Sequence, residues 1–553
     1  MEVSALKKII DDFCVSEEVN IEKTGLIIDG AALYYSLYYN ADPKLDQRCG
    51  GDYPGFKDEV CNFFKTLQDC EVTPYVFLDG GSDPDKRKTL VSRLKHKLKK
   101  AKTVAETKPD AAPKGCNVLP PLVKDVFIEI LKEKDIMFEQ CLGEADPVIV
   151  SAANQNQCAV LSIDKDFYIF EVHKGFLHLD NFEWKSKEDE KIPAKLYTRS
   201  KFCEHFKLDP ALMPVFASIA GNDYSILEDR GRFARESSSP GEYSIKRLDG
   251  MLNFLSKVNL DGLNDSQKRE RALSEALNHV GKKENQTFKL AIQKYVQPEK
   301  KCFELPTWVS KKVERGELTT FVISVLDQKT MMLPALVEDF SQRSSYTAAY
   351  RIRQYFYGLL TGGQICTEYD RDGKEIKDKR VPSILLSSDE QKQLKLQRLH
   401  KVLRLIMKYT SALENIPDEL KLVFVTAATL MLPHQPDQED KLLLVSGSVS
   451  LNLCLILSVE DEFERKMKAL KDEGVNNWQP RVAHAFSQWQ CCMRQSLHLN
   501  QLLCSPLPEP QCARLYCGPL LHRLADEDTI EELQKTLRGE KKELYDNLKT
   551  VCH

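Results

Sequence analysis

Two short acidic couplets carry the chemistry this chain could do. Leu142-Gly143-Glu144-Ala145-Asp146-Pro147 is followed, about twenty residues on, by Ser162-Ile163-Asp164-Lys165-Asp166, each with carboxylates at i and i+2. Apolar runs lead into both, Ile136-Met137-Phe138 into the first and Ala159-Val160-Leu161 into the second. A buried strand ending in acids is how a parallel α/β sheet presents side chains at its carboxyl edge, where such folds hold their sites. Gly25-Leu26-Ile27-Ile28 ends the same way at Asp29, and Tyr75-Val76-Phe77-Leu78 at Asp79. One more acid closes Ala220-Gly221-Asn222-Asp223, after the apolar run Leu212 to Ile219.

Asp29, Asp79, Glu144, Asp146, Asp164, Asp166 and Asp223 make seven carboxylates. If they converge, their mutual repulsion is severe unless divalent cations neutralise it. An oxygen-only ligand set suits Mg²⁺ or Mn²⁺ rather than zinc. Two such ions bridging a phosphodiester can activate a water and stabilise the leaving oxygen. Taken singly, each acid reads as a loop residue, a helix cap or a solvated charge. Asp146 before Pro147 reads as an N-cap with proline at the first helical position. It is the recurrence of acids at strand ends that favours a shared site.

The elements that must position these acids follow from periodicity. A helix over Leu6–Phe13 precedes the Asp29 strand, and an aromatic-rich helix, Ala31–Tyr39, follows it. Its Tyr34, Tyr35, Tyr38 and Tyr39 suit core packing better than the stacking of bases. Phe56–Leu67 is amphipathic and leads to the Asp79 strand. The most basic stretch is Asp83–Lys102, where Lys86, Arg93, Lys97 and Lys100 share one helical face beside an apolar stripe of Leu90, Leu94, Leu98 and Ala101. Such a face is usually just solvated. Its place a few residues past Asp79 favours phosphate binding instead. Glu106–Gly115, with Pro109 and Pro113, reads as a mobile linker. Helices are then expected over Leu119–Lys132, Pro147–Asn156 and Phe202–Ile219, with a strand at Phe176–Leu179. Ser237–Gly241 is loop-like, and Arg230, Arg232 and Arg235 before it are offered to phosphate.

At 553 residues the chain exceeds what one core organises, so two or three units are expected. A net charge of −4 supplies no global attraction for nucleic acid, so any binding surface must be local. The 17 cysteines contain no Cys-x-x-Cys and read as reduced intracellular thiols, and the first residues lack the apolar core of a signal peptide. The second half is mainly helical, with helices over Asp265–Val280, Thr287–Val296, Tyr346–Leu360, Gln391–Tyr409 and Asp461–Leu470. Tyr369 to Lys374 suggests one hairpin. Leu442–Val459, apolar but interrupted by Ser446, Gly447, Ser448, Ser450 and Asn452, reads as a buried helix rather than a membrane span. His484, Trp489, Cys491, Cys492 and His498 read as core and surface rather than a metal site.

The succession Ile-Asp-Gly, Leu-Asp-Gly-Gly, Gly-Glu-Ala-Asp, Asp-Lys-Asp and Gly-Asn-Asp-Tyr resembles the flap endonuclease and XPG nuclease superfamily over residues 1–260. The resemblance implies an α/β, PIN-like nuclease domain with a parallel-sheet core and a helical arch at about 83–115, then a mainly α-helical region over 261–553. It implies two Mg²⁺ ions, with Mn²⁺ able to substitute. Asp29, Asp79, Glu144 and Asp146 would serve mainly the first ion, and Asp164, Asp166 and Asp223 would complete the second. Lys86 and Arg93, seven and fourteen residues beyond Asp79, match the family's phosphate-contacting lysine and arginine. Lys97, Lys100, Arg230 and Arg232 are further DNA-binding candidates. The arch is expected to be ordered mainly when DNA is bound. The chain opens Met-Glu-Val-Ser-Ala-Leu, with Glu2 and Ala5 where the family has glycines, and the Gly-x-Gly duplex clamp is missing after Tyr224.

Phe486-Ser-Gln-Trp-Gln490, Leu499-Asn-Gln-Leu-Leu503 and Pro506-Leu-Pro-Glu-Pro510 are similar to the asteroid family. That resemblance implies a structure-specific nuclease of DNA repair, acting in the nucleus on single-stranded or branched DNA such as flaps and overhangs. Repair proteins would dock on the helical half, and no membrane is involved. The competing expectation is a catalytically silent nuclease fold that binds DNA ends or signalling proteins.

Overall fold

The strand Gly25–Asp29, almost wholly buried, sits in the middle of a seven-stranded sheet. In chain order the strands are β1 Glu17–Ile21, β2 Gly25–Asp29, β3 Thr73–Leu78, β4 Met137–Gln140, β5 Ala159–Ser162, β6 Phe176–Phe182 and β7 Ile192–Tyr197. Their spatial order is β1-β7-β6-β5-β2-β3-β4. The pairs β2/β3, β3/β4, β2/β5 and β5/β6 are parallel, while β6/β7 and β1/β7 are antiparallel. The chain therefore builds outward from β2 through β3 and β4, then returns to the other side of β2 to lay down β5. That reversal opens a crevice at the carboxyl ends of β2 and β5, the usual site location in an open α/β sheet.

This computed structural model describes the chain except residues 1–5, 14, 108–116, 187–188, 223–224, 226, 238–241, 283–285, 297–302, 386–393, 404–412, 415, 431–446, 458–459, 474, 476–477 and 553. Glu2, Ala5, Asp223 and Tyr224 lie outside the described residues, as does most of the expected 106–115 linker. The chain forms two units that interleave in sequence. One comprises Met1–Ser36, Asn62–Thr89 and Ile136–Cys302, the other Leu37–Cys61, Leu90–Asp135 and Phe303–His553.

The first unit holds the sheet. Its core joins Ile27, Val160 and Phe176 of the strands to Ile149, Val215, Phe216 and Leu252 of the helices. The helices Asp265–Val280 and Gln286–Val296 add Ala272, Leu273, Ala276, Leu277 and Ile292 to the same core. The expected helix over 202–219 is broken into Arg199–Phe206, a short 3₁₀ turn Pro210–Leu212, and Met213–Ala220. Lys207 is left-handed at φ 51° and closes the first piece, and Asp209-Pro210 opens the next with the Asp209 side chain as cap. Strand β1 gives little sequence signal because only Val19 and Ile21 of Glu-Glu-Val-Asn-Ile are apolar; β7 is hidden by Pro193 and Lys195.

The second unit is mainly helical. A three-stranded sheet, β8 Thr330–Met332, β9 Cys366–Asp372 and β10 Glu375–Val381, contains the expected hairpin, which turns at Gly373 with φ 62°. The helix Pro480–Leu502 is buried nearly all round, Trp489 included, and this is why no 3.6-residue periodicity announces it. The 346–360 segment begins as a 3₁₀ turn, Ser345–Ala349, before the helix Tyr350–Thr361. The 119–132 helix starts only at Val123, after Pro120 and Pro121. Of the expected helix over 391–409 the described part is Lys395–Val402, and of 442–459 residues 447–457 are described, mostly buried and helical over 447–453 before the 3₁₀ turn Cys454–Ile456. Among those residues no helix is long and apolar enough to cross a membrane.

The basic helix runs Arg87–Glu106, as the charge pattern predicts. Its buried stripe packs within the second unit, with Leu94 and Leu98 against Ile376, Ala335, Phe340 and Tyr369, and with Ala101, Val104 and Ala105 against Val118 and Val337. Burial of a whole leucine is worth roughly 1.5–3 kcal/mol, so this packed stripe favours the helix.

Candidate active site

The acids gather because their strands end in register. In the parallel pairing Asp29 stands beside Phe77, two residues before Asp79, and Ile28 stands beside Leu161, three before Asp164. Asp29 is 7% exposed. Its Oδ1 accepts the Ala32 N–H at 3.0 Å, capping the helix Gly30–Tyr39, and its Oδ2 accepts Ser162 Oγ–H at 2.7 Å. Ser162 Oγ also accepts the Asp164 N–H at 2.9 Å, so one hydroxyl ties the ends of β2 and β5 together.

Asp79 Oδ1 accepts the Ala145 N–H at 2.9 Å, which fixes the start of the helix Asp146–Asn156. Gly80 and Gly81 donate to the carbonyls of Gly143 and Leu142, each at 2.8 Å. A Cβ on Gly80 would lie 2.0 Å from the Cys141 carbonyl, so this close crossing of two site loops requires glycine. Asp146 is not the cap expected from Asp-Pro; Ala145 holds that position, and Asp146 stands in the first helical turn. Glu144 Oε1 meets Lys86 Nζ at 2.8 Å. Asp164 Oδ1 accepts the Asp166 N–H at 2.9 Å and caps the 3₁₀ turn Lys165–Tyr168, anchored from below by buried Phe167 and Tyr168.

Asp223 lies outside the described residues, and the turn before it is Gly221–Asn222. Gly221 has φ 110°, and buried Asn222 accepts both the N–H and Oγ–H of Ser225, at 2.9 and 3.1 Å. Arg247 staples this turn from behind. It donates to the carbonyls of Ala220, Ile219 and Leu227 and to Asp229 Oδ2, at 2.9–3.3 Å.

Electrostatics show how crowded the acids are. Burial first, and then the negative fields of Asp79 and Asp164, push the Asp29 carboxyl up to about 7 against the lowering effect of its two hydrogen bonds. Removal from bulk water and the fields of Asp164, Asp79, Asp29 and Asp166 hold Asp146 well above the usual carboxylate range. Asp29, Asp79, Asp146, Asp164 and Asp166 thus share one field, and Glu144 follows two residues before Asp146, paired with Lys86. Among the described residues no three Asp, Glu, His or Cys close into a ready-made ligand cage. The donor set nevertheless fits a hard divalent cation, being all oxygen and crowded enough to lift two of its own carboxyls.

Of the basic candidates, Lys86 meets these acids directly, through Glu144, at the end of the 3₁₀ turn Pro84–Lys86. Arg93 and Lys97 are exposed and Lys100 half-buried on the basic helix, beside its apolar stripe. Arg230 is exposed with φ 48°, while Arg232 donates to the His279 carbonyl at 2.6 Å and so serves the fold as well. Two contributors go beyond the sequence reading. Ser162 carries a signal that could find it, since it ends the strand before the second couplet. Arg247 carries none, since it reaches the site from a helix beyond the acidic motifs.

The family described as XPG domain containing matches residues 119–382, and that described as Asteroid N-terminal domain matches residues 425–553. Single-strand DNA endonuclease ASTE1 of Danio rerio is 33% identical over 552 residues, covering 91% of this chain and 78% of that one. The Homo sapiens protein of the same name is 32% identical over 600 residues, covering 96% and 87%. Among solved structures, the catalytic core of Rad2 in complex with DNA substrate aligns with 58% of this chain and 97% of its own, at 15% identity and a TM-score of 0.32. With relatives this similar over nearly its whole length, the chain belongs to the asteroid family.

Proposed function

We propose that this chain is a metal-dependent, structure-specific DNA endonuclease, hydrolysing phosphodiester bonds in single-stranded or branched DNA to leave a 5′ phosphate and a 3′ hydroxyl. The observation that carries the reading is the shared negative field that lifts Asp29 and Asp146 at the carboxyl edge of the sheet. Its relatives bear the name single-strand DNA endonuclease.

Asp29, Asp79, Glu144, Asp146, Asp164, Asp166 and Asp223 are the proposed ligands of two Mg²⁺ ions, with Mn²⁺ able to substitute. Such ions, when bound, lower the pKa of a water and offset charge on the phosphoryl oxygens. The chain's own residues do the positioning. Ser162 and the Ala32 N–H orient Asp29, and the Ala145 N–H orients Asp79. Lys86, held at the site by Glu144, steers the scissile phosphate, and Arg93 adds positive charge for the DNA backbone. Lys97, Lys100, Arg230 and Arg232 are proposed to neutralise flanking phosphates. A role in DNA repair, a nuclear location and docking of repair proteins on the helical second half belong to the same proposal.

The test is cleavage by the purified chain, with Mg²⁺ or Mn²⁺, of labelled single strands, 5′ flaps, 3′ overhangs and duplex. Cutting of the first three over duplex is expected, and Asp146→Asn or Asp166→Ala should abolish it. Mg²⁺-dependent cutting retained by Asp166→Ala would refute the assignment. DNA binding without cutting would leave a silent scaffold.

A further inference from the structure

Three of the four tryptophans have protein against their rings: Trp489 is 1% exposed, Trp184 packs on Phe63 at 5.3 Å, and Trp478 carries the Arg48 guanidinium at 4.3 Å. The fourth, Trp308, stands at the start of the helix Thr307–Glu314 in the second unit. It is 47% exposed and has no ring or cation partner among the described residues. Lys311, Lys312 and Arg315 follow at i+3, i+4 and i+7, so they share its face, while Val309 and Val313 bury the opposite side. Neither Lys311 nor Arg315, both exposed, has a carboxylate partner among the described residues, and Lys312 meets Glu317 only at 3.9 Å. Glu314 lies on the flank away from the indole. Exposed Lys132, from the helix Val123–Glu133, donates to the Gly316 carbonyl at 2.8 Å and adds positive charge at the far end of the face.

We propose that this face is an accessory platform for single-stranded DNA, on which an unpaired base stacks against the Trp308 indole while Lys311, Lys312 and Arg315 neutralise the neighbouring phosphates. An open aromatic face set among uncompensated cations is complementary to a polyanion whose bases have free π-faces. Duplex bases are already stacked on both sides, so the ring selects an unpaired strand. Such a platform tolerates any sequence, because every base offers a face to stack. The inference rests on the endonuclease reading for the kind of strand bound, and it concerns a surface that the acidic site does not use.

The test is binding of a labelled thymidine oligonucleotide to the full chain, read by fluorescence anisotropy in EDTA so that no cutting intervenes. Trp308→Ala should bind about fivefold more weakly or worse, and Trp308→Tyr, which keeps a ring, close to wild type. Lys311→Ala and Arg315→Ala should each lower the slope of log affinity against log salt by about 0.7. An oligonucleotide carrying iododeoxyuridine should photocrosslink to the peptide that contains Trp308. An unchanged urea midpoint checks that each exposed substitution spares the fold. Trp308→Ala binding the strand as tightly as wild type, or crosslinks confined to other peptides, would overturn the platform and give the face to a protein partner. Wild type that binds the strand through Trp308 yet never cuts it with Mg²⁺ or Mn²⁺ would overturn the nuclease reading and leave the platform standing.

Discussion

Replacing Asp29 by asparagine should remove most of a pH dependence of stability that this acid imposes on the metal-free protein. The folded carboxyl titrates at about 7 instead of 3.8, because it is buried and faces Asp79 and Asp164. A carboxyl that holds its proton more tightly when folded stabilises the fold fully below about pH 4, and that stability is lost as pH rises through about 7. Each tenfold in proton affinity is worth about 1.4 kcal/mol, so the whole effect is on the order of 4 kcal/mol, with about 3 kcal/mol of it lost between about pH 5 and pH 8. The substituted asparagine can still accept the Ala32 N–H through its carbonyl oxygen, so the helix cap survives the change. The assay is urea unfolding in EDTA at about pH 5 and pH 8, comparing wild type with Asp29→Asn. Wild type should lose about 3 kcal/mol more than the variant across that interval, and Mn²⁺ at the higher pH should restore wild type but help the variant less. Equal losses in the two proteins would refute the reasoning, because the acid's environment would then not be the crowded one its neighbours imply.

Lys86→Ala removes the cation that Glu144 holds, and should raise KM for DNA while reducing the salt dependence of DNA binding by about one phosphate's worth; fluorescence anisotropy across a salt series measures it. In the second unit, Arg353 is 1% exposed and makes a two-pronged pair with Glu368, at 2.6 and 3.0 Å. Arg353→Met strands that carboxylate and should cost about 3–5 kcal/mol by urea unfolding, whereas Arg353→Met with Glu368→Leu should recover most of it.

The site is legible where chemistry and periodicity coincide. Asp29, Asp79 and the two couplets can be found because each terminates an apolar run, and parallel strands put such termini on one edge. The basic face of Arg87–Glu106 is legible for the same reason, since lysines and leucines alternate at helical spacing. What covers its leucines is not, because Ile376 and Phe340 meet the helix from remote sequence. Arg247 carries no motif, and only tertiary packing brings it to the Ala220 carbonyl. Pro480–Leu502 gives no signal because a helix wrapped in protein on every side has no polar stripe to mark its period.

The interleaving of the two units bears on how the coding sequence tolerates damage. Ending the chain near residue 260 would strip Ala272, Leu273, Ala276 and Leu277 from the heart of the sheet-bearing unit. Stopping it just past residue 302 would spare those but leave Leu94 and Leu98 of the cationic helix bare, their cover at Ile376 and Phe340 gone. A premature stop or frameshift late in the reading frame would therefore yield a sticky, misfolding product rather than a shorter working blade.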